Sequence, residues 1–192
     1  MMRKASLNRK TKETDIKIEF NLDGNGLANI STSIGFLDHM FELFAFHGNF
    51  DLTIEAKGDI HVDYHHLIED IGIVLGRCID KALADRKGIK RYGFSSIPMD
   101  EALTQVSLDL GGRSFLVYNV PFEGYIRDID IGLFEEFFRA VVNNAKITLH
   151  VNVLYGKDLH HVIESIFKAF AKAIHEASRV MGEILPSTKG TL

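Results

Sequence analysis

The sequence predicts an α+β protein made of two duplicated half-domains. Three observations carry this. Short alternating runs typical of strands recur between runs with helical apolar spacing. The order strand, turn, strand, helix, strand, helix is read twice along the chain. The phrase His-His-x-x-Glu also occurs twice, in "YHHLIED" at 64–70 and "LHHVIES" at 159–165.

In the first half, residues 1–89, "TDIKIEFNL" places Ile16, Ile18, Phe20 and Leu22 on one face, and "DGNG" at 23–26 is a turn. "LANISTSI" then reads as the returning strand of a hairpin. "FLDHMFELFAFHG" has helical apolar spacing and stops at Gly48, and "NFDLTIEA" alternates again. A long helix is predicted from Asp63, a good N-cap, to Gly88. In the second half, residues 90–192, the order returns as "ALTQVSLDL", the turn "GGR", "FLVYNVPF", the helix "GLFEEFFRAVVNNA", the strand "KITLHVNVL" and the helix "LHHVIESIFKAFAKAIHEASRV". Aligning Gly35 with Gly132 requires an offset of 97 (132 − 35), and the two His-His groups require 95 (160 − 65). A loop two residues shorter reconciles them, and the alignment sets Glu136 opposite His39. Only "DRKGIKRYG" joins the halves, with no Pro- or Ser-rich linker, so they are expected to pack as one compact unit.

Composition narrows the function. A chain of 192 residues, 46% hydrophobic and 25% charged, can bury a core. A net charge of −4 gives no basic footprint for nucleic acid. The longest apolar run, "IGIVLG" at 71–76, is far short of a membrane span, and "MMRKASLNRKTKETD" lacks the apolar segment of a signal peptide. One cysteine, Cys78, cannot form an internal disulfide. A cytoplasmic protein is expected.

At roughly 100° per residue, with His65 at zero, His66 lies near 100° and Glu69 near 40°. Leu67, Ile71, Val74, Leu75, Cys78 and Ala82 cluster at roughly 230° by the same rule. The histidines therefore point away from the apolar face of their own helix. The second helix behaves alike, with Val162, Ile166, Phe170, Ala173 and Ala177 opposite His160, His161 and Glu164. Adjacent histidines diverge too far to share one ion comfortably, whereas His65 or His66 can share one with Glu69. Imidazole with carboxylate suits the divalent first-row metals, toward their harder end. Each helix suggests two ions and supplies too few ligands. The remainder must come from the other segment, from His39 and Glu136, or from a neighbouring subunit. His47, His61, His150 and His175 lack the repeated context, and for most of them a packed or surface role is the default.

With "GFLDHM", "FHGNFDL", "HHLIEDIGIVLG", "RYGFSSIPMDEAL", "DLGGRSF", "KDLHHVIESIFKAFAKAI" and "LPSTKG" in this order, the chain resembles the imidazoleglycerol-phosphate dehydratase family. The resemblance covers nearly the whole length. It implies two four-stranded mixed sheets, one per half-domain, with the helices packed between them, and a homo-oligomer of 24 copies with active sites between subunits. It implies two Mn ions per site, held by His39, His65, His66, Glu69, His160, His161 and Glu164. Glu136 stands where the family commonly has His, and is carried as a further metal candidate. Arg91, Arg113, Ser187 and Lys189 match the family's phosphate contacts, and guanidinium and ammonium groups are what a phosphomonoester needs. Glu13 matches a residue near the reacting carbons. Glu13 and Glu164 are the expected catalytic carboxylates. Glu13, His39, His47, His65, Glu69, Arg91, Arg113, His160, Lys168, Ser187, Thr188 and Lys189 are the expected substrate contacts.

The implied reaction belongs to L-histidine biosynthesis: dehydration of D-erythro-imidazoleglycerol phosphate to imidazoleacetol phosphate, by loss of water and tautomerisation of the enol. The hydrogen to be removed is not next to a carbonyl, so metal-bound imidazolate would have to expel the hydroxyl and acidify the neighbouring C–H. Two other readings compete. Paired ions also clamp phosphoryl oxygens in metallophosphatases, and the repeated histidines could merely staple subunits together.

Overall fold

The computed structural model describes residues 3–190, so residues 1, 2, 191 and 192 at the outer ends of the expected half-domains lie outside it. The elements are β1 (Lys4–Lys10), β2 (Thr14–Asn21), β3 (Ala28–Ser31), α1 (Gly35–Gly48), β4 (Asp51–Gly58) and α2 (His65–Leu83). They continue with β5 (Tyr92–Met99), β6 (Ala102–Asp109), β7 (Phe115–Asn119), the short β8 (Tyr125–Ile126) and β9 (Ile129–Asp130), α3 (Leu133–Ala145), β10 (Thr148–Tyr155) and α4 (Leu159–Ser178).

Two four-stranded sheets form, ordered β1-β2-β4-β3 and β5-β6-β10-β7. In each, the first two pairings are antiparallel and the last is parallel. The registers agree as well: Phe20 pairs with Leu52 in one sheet, as Leu108 pairs with Leu149 in the other. This is the duplicated α+β architecture expected from the sequence.

Its hairpins differ from the sequence reading. The strand β3 is not the antiparallel return of β2; it lies parallel to β4 on the sheet edge. The hairpin partner of β2 is β1, from Lys4 to Lys10, and β4 lies on its other side. That strand is only half-buried on one face, so its alternation is carried by Ala5 and Leu7 among charged residues and gives little apolar signal. Its counterpart β5 is masked by glycine, serines and a proline in "YGFSSIPM". The helix predicted to reach Gly88 ends at Leu83, because Ala84, Arg86 and Gly88 all take positive φ. There the chain turns Arg86 inward, and its guanidinium donates to the carbonyls of Ala145 and Lys146 at the end of α3.

The four helices lie between the sheets. Val74, Cys78 and Ala82 of α2 and Ile166, Phe170 and Ala177 of α4 are all buried, as their spacing requires. Aromatic rings join the layers: Phe41 of α1 meets Phe137 and Phe167, and Phe44 meets Phe170. A Phe167→Ala change would cost roughly 3–5 kcal/mol by the cavity it leaves. In α2, a Cβ at Gly72 would stand 2.7 Å from the Phe137 carbonyl oxygen, and one at Gly76 would stand 2.6 Å from that of Val141. The absence of side chains there lets α2 lie directly on α3. These contacts fix direction. Phe36 at the start of α1 touches Phe134 and His160 at the starts of α3 and α4, and α2 runs alongside α3. All four helices therefore begin at one end of the molecule.

Candidate active site

Each repeated histidine helix begins the same way. The carboxylate of Asp63 accepts from His65 N and that of Asp158 from His160 N, both at 2.8 Å, which satisfies an amide that a helix start otherwise leaves unpaired. Asp63 does this from one residue before the first helical turn's N-cap, Tyr64. In both pairs the adjacent imidazoles splay, with an interplanar angle of 82° and ring centroids just over 6 Å apart.

On the face between α1 and α4, three donors converge. Glu164 Oε2 lies 3.1 Å from His160 Nε2 and 3.6 Å from His39 Nε2. One donor atom from each of His39, His160 and Glu164 lies within 4.8 Å of the other two. Two ligands about 2.1 Å from a shared ion stand roughly 3 Å apart when adjacent, so this group fits a first-row divalent metal. Glu164 is buried, and its other oxygen is 2.5 Å from the ammonium of Lys168. Burial pushes the Glu164 carboxyl up, but Lys168, His160 and His39 together hold it below the usual range. His47 borders the same face; its imidazole is pushed down first by burial and then by Lys168 and Lys172.

The repeat-related face between α3 and α2 is open. His65 Nε2 lies 3.8 Å from Glu69, and both side chains are more than two-fifths exposed. Glu136 turns toward Arg139, 3.6 Å away. Among the described residues no third donor joins His65 and Glu69.

His66 and His161 are held by carboxylates at Nδ1. His66 faces Asp59 at 3.1 Å, with Glu13 at 4.0 Å, and His161 faces Glu101 at 2.7 Å. These neighbours raise both imidazoles above their ordinary value, the hydrogen-bonded Asp59 and Glu101 contributing most. Glu101 itself is lowered to about 2, chiefly by the backbone N–H of Asp158 and then by His161.

The expected phosphate contacts lie elsewhere. Arg91, Arg113, Ser187, Thr188 and Lys189 line a cavity of about 390 Å³ with Tyr92 and Gly111. Asp109 clamps the Arg91 guanidinium through both oxygens, at 2.7 and 3.1 Å, and the same group donates to the Pro186 carbonyl, which draws the C-terminal segment against the cavity. Arg91 N also donates to the Ala177 carbonyl in the last turn of α4. His160 is in the first turn of α4, so at 1.5 Å per residue the two groups are roughly 26 Å apart along the helix. One copy of the chain does not bring them together.

The sequence matches the family model for imidazoleglycerol-phosphate dehydratase over residues 32–174. The chain belongs to the imidazoleglycerol-phosphate dehydratase family. It is 75% identical to the dehydratase of Thermodesulfovibrio yellowstonii and 52% identical to that of Geobacter sulfurreducens, with both partners covered completely. The crystal structure of the Staphylococcus aureus dehydratase superposes with a TM-score of 0.84 at 40% identity, covering 92% of this chain and 99% of that one. The Pyrococcus furiosus enzyme gives 0.85 at 34%, covering 97% and 100%. As a dehydratase, the chain is a hydro-lyase of histidine biosynthesis acting on a phosphate substrate, with a His and Glu group able to hold metal. No helix among the described residues is long and apolar enough to cross a membrane.

Sequence reading of this dehydratase did not single out Asp59, Glu101 or Asp109. Glu101 had a signal: it stands one residue before β6, as Glu13 stands one residue before β2. Aligning those two turns pairs the carboxylates.

Proposed function

We propose that the chain catalyses the Mn-dependent conversion of D-erythro-1-(imidazol-4-yl)glycerol 3-phosphate to 3-(imidazol-4-yl)-2-oxopropyl phosphate, in active sites formed between copies of a cytoplasmic homo-oligomer of 24 subunits. The observation that carries this reading is the separation just described: one copy holds a three-donor metal group at the start of α4 and a cationic phosphate cavity at its end. A substrate with an imidazole at one end and a phosphate at the other is far too short to span about 26 Å. The two ends of the site therefore come from different copies. Residues 1–89 and 90–192 then act as two halves of one functional unit.

Two Mn ions per site would be held by His39, His160 and Glu164 on the gathered face and by His65, Glu69 and Glu136 on the open one, with His66 and His161 as ligands reaching other sets. Once bound, the metal supplies Lewis acidity toward the substrate ring and a template for it. The chain's own groups do the rest. Arg91, Arg113, Ser187, Thr188 and Lys189 bind the phosphate through charge-assisted hydrogen bonds. His47 and Lys168 border the substrate near Glu164. The hydroxyl beside the ring leaves as water, the hydrogen on the next carbon leaves as a proton, and the enol so formed regains a proton on carbon to become the ketone. Glu13, half-exposed and with His66 Nδ1 4.0 Å away, takes the carbon-bound proton on a side-chain oxygen. Glu164, steadied by Lys168, serves the other transfer.

The Mn-loaded protein incubated with imidazoleglycerol phosphate should yield ketone and no free phosphate. Free phosphate without ketone would instead support a metallophosphatase, and metal-dependent assembly with neither product would support a structural staple.

A further inference from the structure

We propose that Glu101 is a positioning residue that fixes the imidazole of His161 with Nε2 free to bind metal. The inference rests on the reading of His161 as a ligand. Glu101 sits in the two-residue turn between β5 and β6, where Met99 pairs with Ala102 and Asp100 takes φ 46°. One carboxylate oxygen accepts from the backbone N–H groups of Lys157 and Asp158, at 3.1 and 2.8 Å, in the loop that launches α4. The other lies 2.7 Å from His161 Nδ1. An ionised carboxylate only accepts, so Nδ1 must carry the hydrogen, and in the neutral ring the lone pair then sits on Nε2. The exposed carboxylate of Asp100 lies 3.8 Å from Nε2, beyond hydrogen-bond distance.

The first half-domain reaches the same geometry with a different residue. His66 Nδ1 lies 3.1 and 3.3 Å from the two oxygens of Asp59, which follows β4 rather than standing in the β1–β2 turn. The residue that does stand in that turn, Glu13, is 4.0 Å away. Two unrelated positions thus supply a carboxylate to the same ring nitrogen, as expected if the orientation of the ring is what matters. Asp59 also explains the division of labour between Glu13 and Glu101. With Asp59 holding His66, Glu13 is left available to substrate, whereas Glu101 is fully engaged.

Glutamine separates the two roles of Glu101. In Glu101→Gln the amide oxygen can keep both backbone N–H groups, while the NH2 group turned toward Nδ1 makes that nitrogen an acceptor and moves the ring hydrogen onto Nε2. Metal-free protein titrated with MnCl2, with free Mn followed by electron paramagnetic resonance, should show one class of ion bound roughly 10- to 100-fold more weakly, at an unchanged unfolding midpoint of the metal-free form. Glu101→Ala should weaken binding and also lower that midpoint. If Gln binds Mn as the parent does and only Ala weakens it, Glu101 is a loop clamp and the proposal fails. His161→Ala is the reference: retained full Mn binding would remove the ligand reading and the proposal with it. Loss in His161→Ala without loss in Glu101→Gln would overturn the positioning role alone.

Discussion

The α1–α4 face and the α3–α2 face are copies of one frame, yet among the described residues only the first gathers three metal donors. Two side chains account for the difference. Glu164 has Lys168 one turn further along α4, and the ammonium pins the carboxylate in a buried position beside His160. Glu69 has Ile73 at the equivalent place and remains only half-buried. On the partner helix, His39 faces Glu42 at i+3, 3.9 Å away, whereas Glu136 faces Arg139 at i+3, 3.6 Å away. The duplication has kept an i, i+3 pair with one carboxylate while reversing its polarity, the carboxylate standing second in α1 and first in α3. Its effect is to draw Glu136 toward its own helix surface and to leave the second face open.

Metal removal tests this contrast most severely. If ions bridge the open faces of neighbouring copies, exhaustive chelation should abolish dehydration and also reduce the particle mass measured by light scattering, with both restored by MnCl2. A particle of unchanged mass would place the assembly contacts elsewhere. Next in size, Glu164→Gln should lower turnover by roughly 10²–10⁴-fold, the range for loss of a positioned acid or base. Glu69→Gln should act mainly on metal retention, measured as Mn content after dialysis. Equal turnover losses would erase the functional difference between the faces.

The helix faces could be read from sequence because burial alone sets a period: every apolar residue assigned to the buried sides of α2 and α4 is buried. The same arithmetic turned His65, His66, His160 and His161 away from those sides, where they are half-buried, but it did not anticipate the burial of Glu164 against α1. What could not be read depends on long-range pairing. The edge strand β1 carries Lys4, Arg9 and Lys10 and shows its register only against β2. Asp59 and Glu101 reach His66 and His161 across turns, so spacing along the helix does not announce them, and only Glu101 has a repeat counterpart, Glu13, to point to it. Asp109, which orients Arg91, lies on a neighbouring strand, paired with Tyr92.

A third test concerns the phosphate end, which has no counterpart in the comparison of the two metal faces. Arg113→Ala should reduce kcat/KM by roughly 10- to 100-fold, as loss of a hydrogen bond to a charged group of about 1.5–3 kcal/mol implies. The loss should fall mainly on KM, because the cavity lies far from the gathered donors within one chain. Arg91→Ala would be less informative, since it also orphans Asp109 and releases the Pro186 carbonyl.

The smallest effect is expected where the two faces differ in ligand type. Glu136→His would restore the residue that His39 occupies in the first half, replacing a carboxylate by an imidazole that the same metals accept. It would also remove the 3.6 Å pairing with Arg139, which retains Glu135 one turn away as a partner. The substituted side chain is therefore freed toward α2 at little cost to α3, and turnover should change only a few-fold while Mn is retained through dialysis. Glu136→Ala removes the ligand without a substitute. It should lose at least the roughly 10-fold in Mn affinity that even outer partners of a metal contribute. If alanine and histidine behave alike, with parent-level Mn content, Glu136 is not a ligand and water completes the open face in its place. If alanine loses metal and histidine keeps it, the polarity reversal between the halves has conserved a metal position through a change of chemistry.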